Sequence, residues 1–136
     1  MKIKPNAYLD TESTGLGKDD EIIQLGVIAE TGEILINTMV KCQGDISSEA
    51  ERIHGITKAD LMDAPGWPTV HDTLKRVLEG VNKVYIWNSD FDVRLIKQTS
   101  ERYNLSLPTM KTVCVMNQFA KHLNNCRLAI KSHTQY

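Results

Sequence analysis

Apolar and polar positions alternate or cluster along the chain in ways that place most of its elements. Ile3 to Asp10 reads as a first strand, whose apolar stretch Ala7-Tyr8-Leu9 ends at two carboxylates one residue apart, in Asp10-Thr11-Glu12-Ser13-Thr14-Gly15. Thr14 to Asp20 is rich in turn-forming residues. Glu21 to Glu30 is almost wholly apolar, as a central strand covered on both faces is. Thr31-Gly32 turns the chain, and Glu33 to Lys41 forms a third strand, with Ile34, Ile36, Thr38 and Val40 alternating against Leu35, Asn37 and Met39. Three strands joined by short turns predict an antiparallel meander.

Helical signals begin at Ser48. Ser48 with Glu51 fits a capping box, and Gly55 stops that helix. Thr57 with Asp60 repeats the pattern for a second short helix ending before Pro65. Thr69 with Asp72 caps a third, with Val70, Leu74, Val77 and Leu78 on one face and Gly80 at its end. Lys83 to Trp87 is a fourth strand, feeding Asn88-Ser89-Asp90-Phe91-Asp92 and a helix to about Tyr103. After a Pro-containing connector from Leu105 to Met110, Val113, Met116, Ala120 and Leu123 mark a last helix over Thr112 to Leu123, stopped by Asn124-Asn125. The expected organisation is one domain over 1–123 and an unplaced tail over 124–136. Its class is α/β, a mixed sheet with helices on its faces.

Composition narrows the function classes. The chain's 136 residues suit one domain, and 41% hydrophobic with 24% charged residues is ordinary for a soluble globular protein. No apolar run approaches the roughly 18 residues of a membrane span. The N-terminus lacks the apolar stretch of a signal peptide. Cys42, Cys114 and Cys126 form no CxxC pair; they read as free thiols in a reducing compartment, and a cytoplasmic protein is expected. The net charge of −1 hides an asymmetry: residues 102–136 hold five bases, Arg102, Lys111, Lys121, Arg127 and Lys131, and no acid. A basic end on an acidic body suits a polyanion.

The carboxylates change the picture most. Residues i and i+2 of a strand share a side, so Asp10 and Glu12 present oxygen ligands together, as Mg²⁺ requires. The other reading of this stretch is a solvated strand end entering a turn. Asp90 and Asp92 follow another strand, at the carboxyl end where α/β sheets place their sites. If the two strands are neighbours, three or four acids converge, and their repulsion asks for a cation. The other reading of Asp90 and Asp92 is a helix cap and a first-turn acid stabilised by the helix dipole.

These stretches together resemble the DEDD 3′–5′ exonuclease superfamily, the RNase T or DnaQ-like group with an RNase H-like fold. Asp10-Thr11-Glu12-Ser13-Thr14-Gly15 resembles its first motif, and Glu21-Ile22-Ile23-Gln24-Leu25-Gly26 its following apolar strand. Arg52-Ile53-His54-Gly55-Ile56-Thr57 with Asp63-Ala64-Pro65, and Asn88-Ser89-Asp90-Phe91-Asp92, resemble two later motifs, with Trp87 and Ser89 replacing the usual His and Ala. The resemblance implies two Mg²⁺ or Mn²⁺ ions on Asp10, Glu12 and Asp92, straddling the scissile phosphate. It implies that Thr11, Thr14, His54, Gly55, Asn88 and Phe91 hold the 3′ end of single-stranded DNA or RNA. Without the resemblance, His54 reads as a helix-end residue capping carbonyls. Trp67 and Trp87 could stack bases, but their apolar neighbours favour core packing, and Cys114 and Met116 read as core as well.

One motif is not matched. The family carries a fourth Asp with a His five residues before it, acting as general base, and no Asp or Glu follows Glu101 here. His133 is the one suggestive remnant, and its partner would fall past Tyr136. The expectation is a chain truncated within that motif or drifted from it, without the closing C-terminal helix and with impaired hydrolysis. The sheet surface so exposed would favour a homo-oligomer. Asp90 is then a substitute ligand to consider. The alternatives are an inactive remnant that binds nucleic acid or a nucleotide, and a chain completed by another subunit.

Overall fold

In the computed structural model, backbone is described for residues 3–134 and side chains for residues 3–124. Strand β1 (Ala7–Ser13) alternates strictly: Ala7, Leu9, Thr11 and Ser13 are buried, while Tyr8 and Asp10 face out with half-buried Glu12. It begins later than the apolar pattern suggests and runs through both carboxylates. β2 (Ile22–Ala29) and β3 (Ile34–Met39) complete the antiparallel meander. β4 (Lys83–Ile86) joins β1 in parallel, and β5 (Lys111–Cys114) joins β4 in parallel. The sheet order is β3-β2-β1-β4-β5, so β1 is its centre.

Among the described residues, four α-helices accompany the sheet: α1 (Ser48–His54), α2 (Trp67–Glu79), α3 (Ser89–Glu101) and α4 (Val115–Thr134). The core lies between one sheet face and α2 with α3. Leu9, Leu25, Val27 and Val84 meet Trp67, Val70, Leu74, Leu95 and Ile96 there, all buried. A satellite cluster of Ile23, Cys42, Ile56 and Leu61 lies beside it. On the other sheet face Tyr8, Ile28 and Ile34 are exposed, Tyr8 stacking on Tyr85 at 5.5 Å between centroids.

Several expected boundaries move, each for a local reason. Ser47, not Ser48, caps α1, its side chain accepting the Ala50 N–H; of two adjacent serines, the extended one takes the cap. The Thr57–Asp60 capping box forms in both directions, but the segment is only a 3₁₀ turn over Ala59–Leu61. α2 starts at Trp67 rather than after Thr69, because Pro68 needs no N–H partner in a first turn. β5 takes residues assigned above to the last helix, pairing Lys111 to Cys114 with Lys83 to Ile86. Asn124-Asn125 does not end α4, which runs to Thr134 across the expected domain boundary; asparagine costs a helix only about 0.7 kcal/mol or less per residue, unlike proline. His133 and Cys126 lie outside the described side chains. Trp67 is core as expected, but Trp87 is 57% exposed, packed against Phe119, and Met116 is also exposed. Among the described residues, Cys42 and Cys114 are free thiols, Cys114 only half-buried, and no helix is long and apolar enough to cross a membrane.

Candidate active site

β1 pairs with β4 only at Ala7↔Val84 and Tyr8↔Tyr85. Beyond that point the strands part, and the N-terminus of α3 enters at the end where Asp10 and Glu12 stand. Neighbouring parallel strands thus bring the two acidic stretches to one sheet end, as the sequence requires for convergence. A register shift at Glu12/Ser13 marks a bulge beside the site, a device that re-aims side chains at strand ends.

Asp92 is buried at 7% exposure, whereas Asp90 is exposed in the first turn of α3. Burial pushes the Asp92 carboxyl above the ordinary carboxylate range; a hydrogen bond from Thr11 opposes the rise, and the charges of Asp10 and Glu12 add to it. Glu12 is raised as well, by burial first and by Asp10 second, with His54 opposing. The charge of Asp10 thus reaches both Glu12 and Asp92. Carboxylate oxygens are the donor set that Mg²⁺ and Mn²⁺ take, so the residues fit such an ion. Among the described residues, no group of three or more His, Cys, Asp or Glu side chains is placed to hold a metal ion together; a Mg²⁺ held by one or two carboxylates fills its shell with water and phosphate.

Beside the acids lies a cleft of about 380 Å³ lined by Thr11, Glu12, Gly15, Leu16, Ile53, His54 and Phe91, among others. Of the expected substrate residues, Thr11, His54 and Phe91 line it directly. The Thr14 hydroxyl is instead used internally, donating to Asp20 Oδ1 at 2.7 Å and accepting the Glu21 N–H at 2.9 Å. Gly55 is the left-handed C-cap of α1, at φ 72°, and Asn88 is the N-cap of α3 without a side-chain capping bond. Both ring nitrogens of His54 are engaged by backbone. Nδ1 accepts the Ile56 N–H at 3.0 Å, which puts the proton on Nε2, and Nε2 donates to the Ser13 carbonyl at 3.0 Å. His54 thus ties the end of β1 to the C-terminal corner of α1.

Sequence reasoning missed Leu16 and Ile53. They are 76% and 83% exposed and both line the cleft. The available signal was an isoleucine on a helix that buries no residue, and a leucine in an otherwise polar turn. Also missed was the grip of α3 on the loop carrying Leu16. Arg94 donates to the Leu16 carbonyl at 2.9 Å, Gln98 to those of Gly17 and Asp20 at 2.8 and 2.7 Å, and Arg102 to that of Asp19 at 3.0 Å. These donors recur every four residues, on one helix face.

The loop also depends on Gly15. A Cβ there would meet Asp20 Oδ2 at 2.7 Å, and that carboxylate already accepts from Thr14 and from the Gly17 N–H at 2.6 Å. Gly15→Ala is expected to cost about 1–3 kcal/mol by breaking those bonds, measured as a lower urea midpoint at unchanged m-value.

Comparison with known proteins places the chain among exonucleases. Residues 8–136 match the family model RNase_T, described as exonuclease. The chain is 37% identical over 121 residues to an uncharacterized exonuclease, CP81, of Escherichia phage 186, covering 85% of this chain and 62% of that protein. It is 31% identical over 94 residues to the DNA polymerase III subunit epsilon of Rickettsia conorii, covering 65% of this chain and 40% of the subunit. The chain thus spans less than two thirds of either relative. Among solved structures, E. coli exonuclease I in complex with a dT13 oligonucleotide superposes with a TM-score of 0.73 at 12% identity, over 86% of this chain and 29% of that one. That likeness shows a shared fold, the α/β exonuclease architecture with an RNase H-like sheet.

Proposed function

The chain belongs to the RNase_T exonuclease family, and on that premise we propose that it removes nucleotides from the 3′ end of single-stranded DNA or RNA by metal-dependent hydrolysis. The observation that carries this reading is geometric: Asp10 and Glu12 stand together on β1, Thr11 between them donates to Asp92, and Glu12 with Thr11 lines a cleft of about 380 Å³. Asp10, Glu12 and Asp92 would hold Mg²⁺ or Mn²⁺, which supplies charge stabilisation to the attacking and leaving oxygens of the phosphodiester. The chain's own side chains do the rest. Leu16 and Ile53 offer apolar surface to a terminal base, and Phe91 offers a ring on which base stacking is worth about 1–3 kcal/mol. His54 holds the cleft's floor through Ser13 and Ile56.

A second reading is a binder of nucleic acid that does not cut, supported by the five bases and absent acids of residues 102–136. Incubation of a 5′-labelled single-stranded oligonucleotide with the protein and Mn²⁺, beside Asp10→Ala, separates the two. Stepwise 3′ shortening lost in the variant is the expected result. Retained binding without shortening in the unsubstituted chain would favour the second reading.

A further inference from the structure

Thr11 sits between the two strand carboxylates but on the opposite side of the pleat. It is 8% exposed, and its hydroxyl donates to Asp92 Oδ1 at 2.5 Å, a bond spanning 81 positions of sequence. One strand therefore governs all three acids: residues 10 and 12 by direct display, and residue 92 through the hydroxyl between them. We infer that Thr11 is a positioning residue that orients the Asp92 carboxylate and so sets the site's affinity for a divalent cation. The inference rests on the metal-dependent reading above and adds to it a residue that acts through Asp92. The geometry supports orientation rather than simple packing. The bond is short, both partners are buried, and a carboxylate with one oxygen held by a hydroxyl keeps one rotamer in a space where it otherwise has several. Support of this kind to a metal-binding carboxylate is worth about 10–100-fold in affinity.

The test is calorimetric titration of Mn²⁺ into the nucleic-acid-free chain, comparing Thr11→Val, Thr11→Ser and Asp10→Ala with the unsubstituted protein. Thr11→Val keeps the shape and removes the donor; about 10–100-fold weaker binding is expected. Thr11→Ser keeps the hydroxyl and should stay within about threefold of the parent, inside the scatter of a retained hydrogen bond. If Thr11→Val fails to fold, Thr11→Ala against Thr11→Ser makes the same comparison. Thr11→Val binding Mn²⁺ as tightly as the parent, or Thr11→Ser as weakly as Thr11→Val, overturns the inference while leaving the metal reading intact. A parent chain whose Mn²⁺ binding is absent, or unchanged by Asp10→Ala, overturns the metal reading and this inference together.

Discussion

Asp92→Asn is expected to cut hydrolysis by roughly 10³-fold and, without metal, to make the protein more resistant to heat at neutral pH. Both effects come from one atom exchange. Asparagine keeps a carbonyl oxygen for the Thr11 hydroxyl, so the buried contact survives. What is lost is a charge that burial disfavours, beside the like charges of Asp10 and Glu12. A carboxyl raised in the folded state binds its proton more tightly there than in the unfolded chain. Stability then falls as pH rises from the ordinary carboxylate value to the raised one, and stays lowered above it. Asp92→Asn lacks that fall, so its thermal midpoint should exceed the parent's at neutral pH and approach it as the pH drops below the ordinary carboxylate range. Millimolar Mg²⁺ should reverse the order, since only the parent gains stability from binding. Charge stabilisation by a bound cation is worth several kcal/mol, so hydrolysis should drop by roughly 10³-fold. Melting curves at several pH values, with and without Mg²⁺, read the first effect, and oligonucleotide shortening reads the second. A lower metal-free midpoint for Asp92→Asn at neutral pH would mean that the acid is structural rather than held at a cost.

That pairing of cost and function also explains what the sequence discloses. The Asp10/Glu12 display follows from strand alternation alone, and β1 honours it. β2 was legible because Ile22 to Ala29 is a long apolar run, and the Thr57–Asp60 box because each partner satisfies the other locally. Local rules fail where two signals compete. Val113, Met116 and Ala120 have helical spacing, yet Lys111 to Cys114 is claimed by the free edge of β4, a tertiary demand that four residues cannot announce. The apolar neighbours of Trp87 point to core, but it follows the last residue of β4 and packs on Phe119 at the surface. The hidden parts of the site are long-range. Thr11 reads as one more hydroxyl of a turn until α3 brings Asp92 to it, and Leu16 as a stray apolar residue until Arg94 and Gln98 fix its loop beside the cleft.

The largest loss of stability should come from Trp67→Ala, at the joint that sets where α3 lies. Trp67 is fully buried, stands edge-on to His71 at 6.2 Å, and donates its indole N–H to Ser100 Oγ at 3.0 Å. Ser100 passes the polarity on, donating to the Ile96 carbonyl at 2.6 Å within α3. Removing the ring opens a cavity where α2, α3 and the sheet meet, at about 3–5 kcal/mol. Against a typical total of roughly 5–15 kcal/mol, that is a large share, and the thermal midpoint should fall on the order of 10–20 °C. Trp67→Phe separates packing from polarity. It keeps most of the ring, and the Ser100 hydroxyl still has the Ile96 carbonyl, so only about 1–2 kcal/mol should be lost. Because α3 carries Asp92 at one end and grips the Leu16 loop along its length, Trp67→Ala should also weaken Mn²⁺ binding at temperatures where it remains folded, while Trp67→Phe should not. Equal stability losses in the two variants would place the strength of the joint in the indole hydrogen bond rather than in the filled space around it.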